Sequence, residues 1–424
     1  MTGLLLALAL GCSAAMAAAQ TVDLSIRTDR PEAVYARGET ATFIIEMKDG
    51  DQPVPEAAFE VELSADGFAH SEKRQVTIRG GRAEVHASRP DPSMLWIRAT
   101  YTPEDGEAVK SLAGAAFSYE EILPSMPPPD DFEEFWESRK ALMDAVPMNP
   151  VLTPMPCPAE GYEIFDVRLD GLDGTMITGY LAKPVGDGPF PGLVRFQWSG
   201  VYSLSPSWSL NYARWGYIAF NMNPHDIENG KPQEYYDELS RGRLAAYSYQ
   251  GRGSREKLYF GQMYLRCYRA VEFLASRPEW NGRTLVSSGH SMGGGQALAA
   301  AFLNPRVTAL AIDSPGMCDY TAMILGRKPG WPGLVEVKDG ELDPTTLTAA
   351  RYIDGMNFAS RIDVPAVVGT AFKDLAAPSS ATFAVYNALK GPKRIAIDPL
   401  SEHSGEKPNW RILREEFLRE QAGK

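Results

Sequence analysis

The pentapeptide Gly289-His290-Ser291-Met292-Gly293 fits the pattern G-x-S-x-G. Taken alone, that pattern is common. Its setting is more specific. The apolar run Thr284 to Ser288 ends at it, and the alanine-rich helical pattern GGGQALAAAF starts directly after Met292. A strand–turn–helix corner of this kind exposes a serine hydroxyl on a strained turn, where flanking glycines avoid clashes. The helix N-terminus also offers N–H groups and a positive dipole end to an oxyanion. The chemistry would be attack by Ser291 on an acyl carbon. The competing reading is a surface serine in a glycine-rich turn.

Such a nucleophile needs a base, and the chain has five histidines. His70 and His86 fall among short alternating runs near the N-terminus and read as surface residues. His290 is expected to point away from the corner, packing or hydrogen-bonding elsewhere. His225, in NPHDIEN, follows a strand at the correct sheet end and could line the site, but it precedes the serine. His403, in LSEHSG, follows the last strand, and it alone obeys the order Ser, acid, His that accompanies a nucleophile elbow. The acid must then lie between them on a loop after a strand. Asp374, after PAVVGTAF, is expected; Asp313, after VTALAI, is the rival. Asp319, Asp354 and Asp363 read as loop or cap residues. An oxyanion hole needs two N–H donors. Met292 supplies one, and the loop Gln197 to Val201 the other, from Ser199 or Gly200. Trp198, Tyr202 and Trp208 lie near that loop. Their rings would suit a sugar face, with Trp198 and Tyr202 as expected substrate contacts, though core packing fits each equally. No metal or organic cofactor is needed.

The elements that hold these residues alternate. PGLVRFQW, GYIAFNMN, TLVSSG, VTALAID, PAVVGTAF and RIAIDP read as buried strands, each followed by a helix or loop. This predicts a mostly parallel sheet with helices on both faces, and the nucleophile elbow with its Ser, acid, His order makes that an α/β-hydrolase fold. Before it, from Thr21 to about Phe117, period-two runs such as VDLSI, ATFIIEM and LWIRATY predict a small all-β sandwich, Ig-like in size. LPSMPPPDD separates the two, so the sequence divides into a β-sandwich over 20–122 and a catalytic domain over 123–424. Asp130, with Glu133 three residues on, predicts a capped helix start.

The first residues, MTGLLLALALGCSAAMAAAQ, read as a signal peptide over 1–19, cut near Ala19, and so as an exported protein. A lipid anchor on Cys12 is the lesser alternative. The formal net charge of −12, with no basic block, excludes nucleic acid as a natural partner. No later segment reads as a membrane span. The remaining cysteines, Cys157, Cys267 and Cys318, are too far apart for a disulfide framework or a CxxC metal site. Cys267 reads as a small buried hydrophobe.

From about Pro128 to Asn409 the chain resembles the acetyl xylan esterase and cephalosporin C deacetylase family of α/β-hydrolases. The resemblance is carried by PPPDDFEEFW, by YRAVEFLASRPEWNGRTLVSSGHSMGGGQALAAA, and by the run from YIDGMNF through IAIDPLSEH. It implies a serine esterase that removes acetyl groups from sugar hydroxyls, with an acetylated saccharide or another small ester as its partner. It places the nucleophile at Ser291, the acid at Asp374 and the base at His403. Three departures mark a divergent branch. Met292 stands where the family usually has Gln, QWSG replaces a His-Gly-Tyr oxyanion loop, and PHDIENG replaces an Arg-Gly-Gln motif. The family's oligomeric ring is therefore not carried over. A serine peptidase of the same fold is the alternative function, although about 100 residues of β-domain are too few for a propeller. A vestigial hydrolase that only binds polysaccharide is the third reading, and the intact Ser, Asp and His oppose it.

Overall fold

A computed structural model describes residues 22–423 apart from residue 105. The expected signal segment and Cys12 lie outside the described residues, as does the side chain of His70.

Nine strands form the N-terminal region: β1 (Val22–Thr28), β2 (Val34–Tyr35), β3 (Thr40–Asp49), β4 (Gln52–Pro53), β5 (Glu56–Ala65), β6 (Ala69–Arg79), β7 (Arg82–Ser88), β8 (Ser93–Tyr101) and β9 (Val109–Phe117). They pair in the order β1-β3-β7-β6-β5-β8-β9-β2, with β4 on β3. Arg79–Arg82 is the one residue pair that joins β6 to β7, so the expected sandwich is present as two ladders, β1-β3-β7 and β6-β5-β8-β9-β2, linked at one corner, with β1 packed on β9. Alternation determines which side chains face inward, but not where hydrogen bonding breaks between layers. Leu24, Ile26, Phe43, Ile45, Val61 and Leu63 fill the resulting core.

Strand β8 departs from simple alternation. Leu95, Ile97 and Ala99 face that core, while Met94 and Trp96 on the other face join the core of the following domain. Over Met94–Ile97 both faces of β8 are therefore buried, while Arg98 and Thr100 further along are exposed. Asp66, 2% exposed, reaches across as well, accepting from Ser380 Oγ at 2.5 Å and from the Lys328 N–H at 3.0 Å.

The second sheet contains β10 (Val151–Met155), β11 (Tyr162–Asp170), β12 (Met176–Pro184), β13 (Phe190–Phe196), β14 (Ile218–Met222), β15 (Trp280–His290) and β16 (Ala309–Asp313). After the small hairpin β17 (Val337–Lys338) and β18 (Glu341–Leu342), β19 (Ala366–Ala371) and β20 (Lys393–Asp398) complete it. The order is β10-β11-β12-β14-β13-β15-β16-β19-β20, antiparallel up to β14 and parallel from there on. Its helices are α1 (Phe132–Asp144), α2 (Pro206–Ala213), α3 (Gln233–Arg241), α4 (Tyr259–Ala275), α5 (Met292–Leu303), α6 (Pro344–Arg351), α7 (Gly355–Ala359), α8 (Ser379–Ala388) and α9 (Pro408–Gln421). Among the described residues no helix is long and apolar enough to cross a membrane.

The central strands are buried on both faces, as parallel strands under helices must be. Val194, Leu285, Ile312 and Val368 face the core that contains α1, α4, α5 and α8. Leu193, Val286, Ala311 and Val367 face α2 and α9, through Tyr212, Trp410 and Phe417. The start of α1 differs from expectation. Asp131, not Asp130, is the N-cap, and its carboxylate is engaged by Arg255 and Tyr352 rather than by the helix. Glu133 likewise accepts from Arg361 at 2.7 Å instead of closing a capping box. Longer-range charged partners outcompete the local cap.

Candidate active site

The corner after β15 has the geometry its sequence requires. Ser291 sits at φ 57° and ψ −126°, a positive φ unusual for a non-glycine residue. The turn is so tight that a Cβ on Gly289 would lie 2.1 Å from the Gly293 carbonyl oxygen. A Cβ on Gly293 would lie 2.4 Å from the Phe196 oxygen on the neighbouring strand. Only glycine fits at either position. The Ser291 N–H donates to the Asp313 carbonyl at 3.0 Å, and the Ser291 carbonyl accepts from Gly294 and Gly316 at 2.8 Å. The backbone is held on both sides, so the hydroxyl projects at a fixed place.

Three side chains from three loops meet there. His403 Nε2 lies 2.8 Å from Ser291 Oγ, and His403 Nδ1 lies 2.7 Å from Asp374 Oδ2. The other Asp374 oxygen accepts from the Ala376 and Ala377 amides at 2.9 and 2.8 Å. Asp374 is fully buried, while the His403 side chain retains 21% exposure. With the carboxylate holding a proton on Nδ1, Nε2 is left as an acceptor for the serine O–H. The arrangement can activate a hydroxyl and return its proton to a leaving group.

Two amides of the expected oxyanion hole behave differently from a third. Met292 begins α5, where a helix amide has no partner within the helix. The Ser199 N–H has no acceptor among the described residues. The Gly200 N–H instead donates to the Tyr247 hydroxyl at 3.2 Å, so Gly200 is corrected from oxyanion donor to loop anchor. His225 braces the same loop. It is fully buried, its Nε2–H donates to the Gly200 carbonyl at 2.9 Å, and its Nδ1 accepts from Tyr259 O–H at 2.7 Å. Burial pushes its pKa down to about 3, so the ring is neutral when both bonds form. It therefore supports the loop from behind rather than lining the cleft.

The cleft over Ser291 encloses about 540 Å³. Trp198, Ser199, His290, Ser291 and His403 line it, together with residues of α9. Trp198 stacks on Tyr202 at 5.8 Å and meets Trp208 at 5.0 Å. Tyr202 does not line the cleft. Its hydroxyl donates to the Trp198 carbonyl at 2.9 Å, so the expected substrate contact is a support for Trp198.

A sequence model of the acetyl xylan esterase (AXE1) family matches residues 118–419. The chain belongs to the acetyl xylan esterase family. Membership makes it a carboxylic ester hydrolase. It is 27% identical over 356 residues to the acetyl esterase Axe7A of Xylanibacter ruminicola, covering 81% of this chain and 78% of that protein. A solved acetyl xylan esterase from Paenibacillus sp. R4 is 28% identical with a TM-score of 0.62, covering 71% of this chain and 98% of its own. The acetyl xylan esterase 1 structure from Thermoanaerobacterium sp. JW/SL YS485 shares the fold, at 23% identity and a TM-score of 0.60 over 72% of this chain and 97% of its own.

Other groups in this acetyl xylan esterase family member are placed less predictably. Asp313, the rival acid, is bound by Lys407 Nζ at 3.0 and 3.1 Å and by His290 Nδ1–H at 2.9 Å. Burial alone would raise its pKa, but His290 and Lys407 hold it down at about 2. His290 does not point away as expected. It hydrogen-bonds Asp313, because the sheet puts the ends of β15 and β16 side by side, and its ring is tilted 37° to that of His403 with centres 4.8 Å apart. Asp354 and Asp319 are structural, as expected: Asp354 caps α7 and accepts the Asp319 and Tyr320 amides, and Asp319 holds Ser125 and Arg327. Cys267 is buried.

Sequence reasoning missed Tyr247 and Tyr259 behind the oxyanion loop, and Arg195, Arg411 and Arg414 in the cleft. Arg195 had a usable signal: it is a lone charge inside the apolar strand PGLVRFQW. The β-domain also reaches the site. Arg98 and Lys110 from β8 and β9 line a second cavity that is shared with His403 and Ser404.

Proposed function

We propose that this family member hydrolyses acetyl esters of carbohydrates through a Ser-His-Asp triad. The observation that carries the reading is the unbroken hydrogen-bond chain Ser291–His403–Asp374, at 2.8 and 2.7 Å, in the order Ser, Asp, His along the sequence. Ser291 Oγ attacks the acetyl carbonyl as His403 takes its proton, and Asp374 stabilises the imidazolium that forms. The Met292 and Ser199 amides, reinforced by the α5 N-terminus, receive the oxyanion. His403 then protonates the departing sugar oxygen. Water, activated by the same imidazole, releases acetate from Ser291. Trp198 provides an apolar face for the sugar ring. The likeness to acetyl esterases supports this reading over a peptidase.

The test is Ser291→Ala, assayed on para-nitrophenyl acetate and acetylated xylo-oligosaccharides. A fall in kcat of at least about 10³-fold with the fold intact is expected. Near-wild-type turnover by the folded variant would overturn the assignment.

A further inference from the structure

The cleft that contains Ser291 also contains three arginines from two elements: Arg195 on β13, and Arg411 and Arg414 on α9. Among the described residues none of them forms an ion pair with a carboxylate, although the chain carries a net charge of −12. Two carboxylates share the lining. Asp313 is neutralised by Lys407, and Glu406 is exposed with no ion pair to the arginines. The cluster is a built feature rather than a fringe of surface charge. The Arg195 guanidinium lies 5.8, 5.5 and 5.9 Å from the ring centres of Trp198, Trp208 and Tyr212, which hold it in place without neutralising it. Arg414 Nε is buried with no hydrogen-bond partner. Burial pushes the Tyr212 phenol up, while Arg195, Arg414 and a hydrogen bond with Ser288 together hold it below its ordinary range.

Three unopposed guanidinium forks beside a reacting centre suit an anion that can accept paired hydrogen bonds. A neutral acetylated sugar offers acceptor oxygens but no charge, and leaves the positive charge of the cluster unmatched. We infer that Arg195, Arg411 and Arg414 form an anion subsite in the cleft, and that the preferred substrate is an acetylated saccharide carrying a carboxylate or sulfate group near the ester. Trp198 faces the ring, Ser291 meets the acetyl carbon, and the arginines take the anionic substituent. This deepens the esterase reading above and rests on it.

The test uses the full chain and three acetylated sugars that differ at one carbon: a methyl glucoside, its primary sulfate ester, and the corresponding methyl glucuronide. Wild-type enzyme is expected to show kcat/KM at least about 10-fold higher on one or both anionic sugars than on the neutral one. Preference for the glucuronide alone assigns the subsite to uronic acids, and preference for the sulfate alone assigns it to sulfated sugars. In Arg411→Gln and Arg414→Gln the anionic-to-neutral ratio is expected to fall toward unity. Salt at about 0.5 M should compress the same ratio in the unaltered enzyme, a check that does not depend on variant folding. Turnover of all three sugars at similar kcat/KM overturns the anion subsite and leaves the esterase standing. No turnover of any sugar or of para-nitrophenyl acetate overturns the esterase reading itself.

Discussion

Replacing Asp374 by Asn keeps the side chain's size and removes its charge, and its hydrogen bonds determine the consequence. One Asp374 oxygen accepts from two backbone amides at 2.9 and 2.8 Å, and the other accepts from His403 Nδ1 at 2.7 Å. Asn has a single acceptor oxygen. The two amides claim it, which turns the NH₂ group toward His403. Nδ1 must then accept, so the ring proton moves to Nε2 and faces Ser291 Oγ. The lone pair that takes the serine proton is lost. The opposite rotamer sets an NH₂ against two N–H donors at a fully buried site, which is costlier still. The missing charge adds its own loss: an imidazolium and a carboxylate roughly 5 Å apart at an effective dielectric near 20 interact by about 3 kcal/mol. Together these predict a fall in kcat of about 10²- to 10⁴-fold. The assay is initial-rate kinetics on para-nitrophenyl acetate, with melting temperature as the control for folding. Asp313→Asn is the contrast. It weakens a buried pair with Lys407, so it should cost about 3 kcal/mol of stability but less than about 10-fold in kcat. If Asp313→Asn loses activity while Asp374→Asn retains it, the acid stands at the end of β16 and the reasoning fails.

Two further outcomes are expected. His225 has its pKa lowered to about 3, so the unfolded chain binds a proton here first as pH falls. Its contribution to stability is complete above about pH 6.5 and drains away toward pH 3, reaching roughly 2 to 3 kcal/mol lost by about pH 4.5. Urea titrations across that window should show the loss in wild type and a shallower slope in His225→Gln; equal slopes would contradict it. Trp96, 2% exposed, belongs to the core that packs against the second sheet although it lies on β8. Trp96→Ala should therefore destabilise the whole molecule by about 3 to 5 kcal/mol in a single transition, whereas loss confined to an early, separate transition would mean the β-domain is thermally independent.

Much of this was legible because the chemistry is local. The strand, the glycines and the helix around Ser291 are contiguous, so the corner could be read from about twenty residues. His403 followed from chain order among only five histidines. The β-domain was legible as strands, since inward residues repeat with period two. Its attachment was not. The run of prolines before α1 suggested a separable edge, but Met94 and Trp96 face outward from β8 into a core built mostly from residues beyond 130. Periodicity cannot say what covers the outer face of a strand. The same limit hid the role of His225, whose partners Gly200 and Tyr259 lie 25 and 34 residues away. It also hid the arginine cluster, in which Arg195 meets α9 only because β13 and α9 border one cleft.

The central claim is that Ser291 is the nucleophile that His403 activates. Covalent labelling tests it most directly. A phosphonofluoridate reacts with a serine only when a neighbouring base and oxyanion donors make the hydroxyl nucleophilic. The account predicts that the label falls on the peptide containing Ser291, that its uptake parallels the loss of activity on para-nitrophenyl acetate, and that folded His403→Ala takes up almost none. Complete labelling of Ser291 with activity retained, or inactivation by a label on another residue, would contradict it.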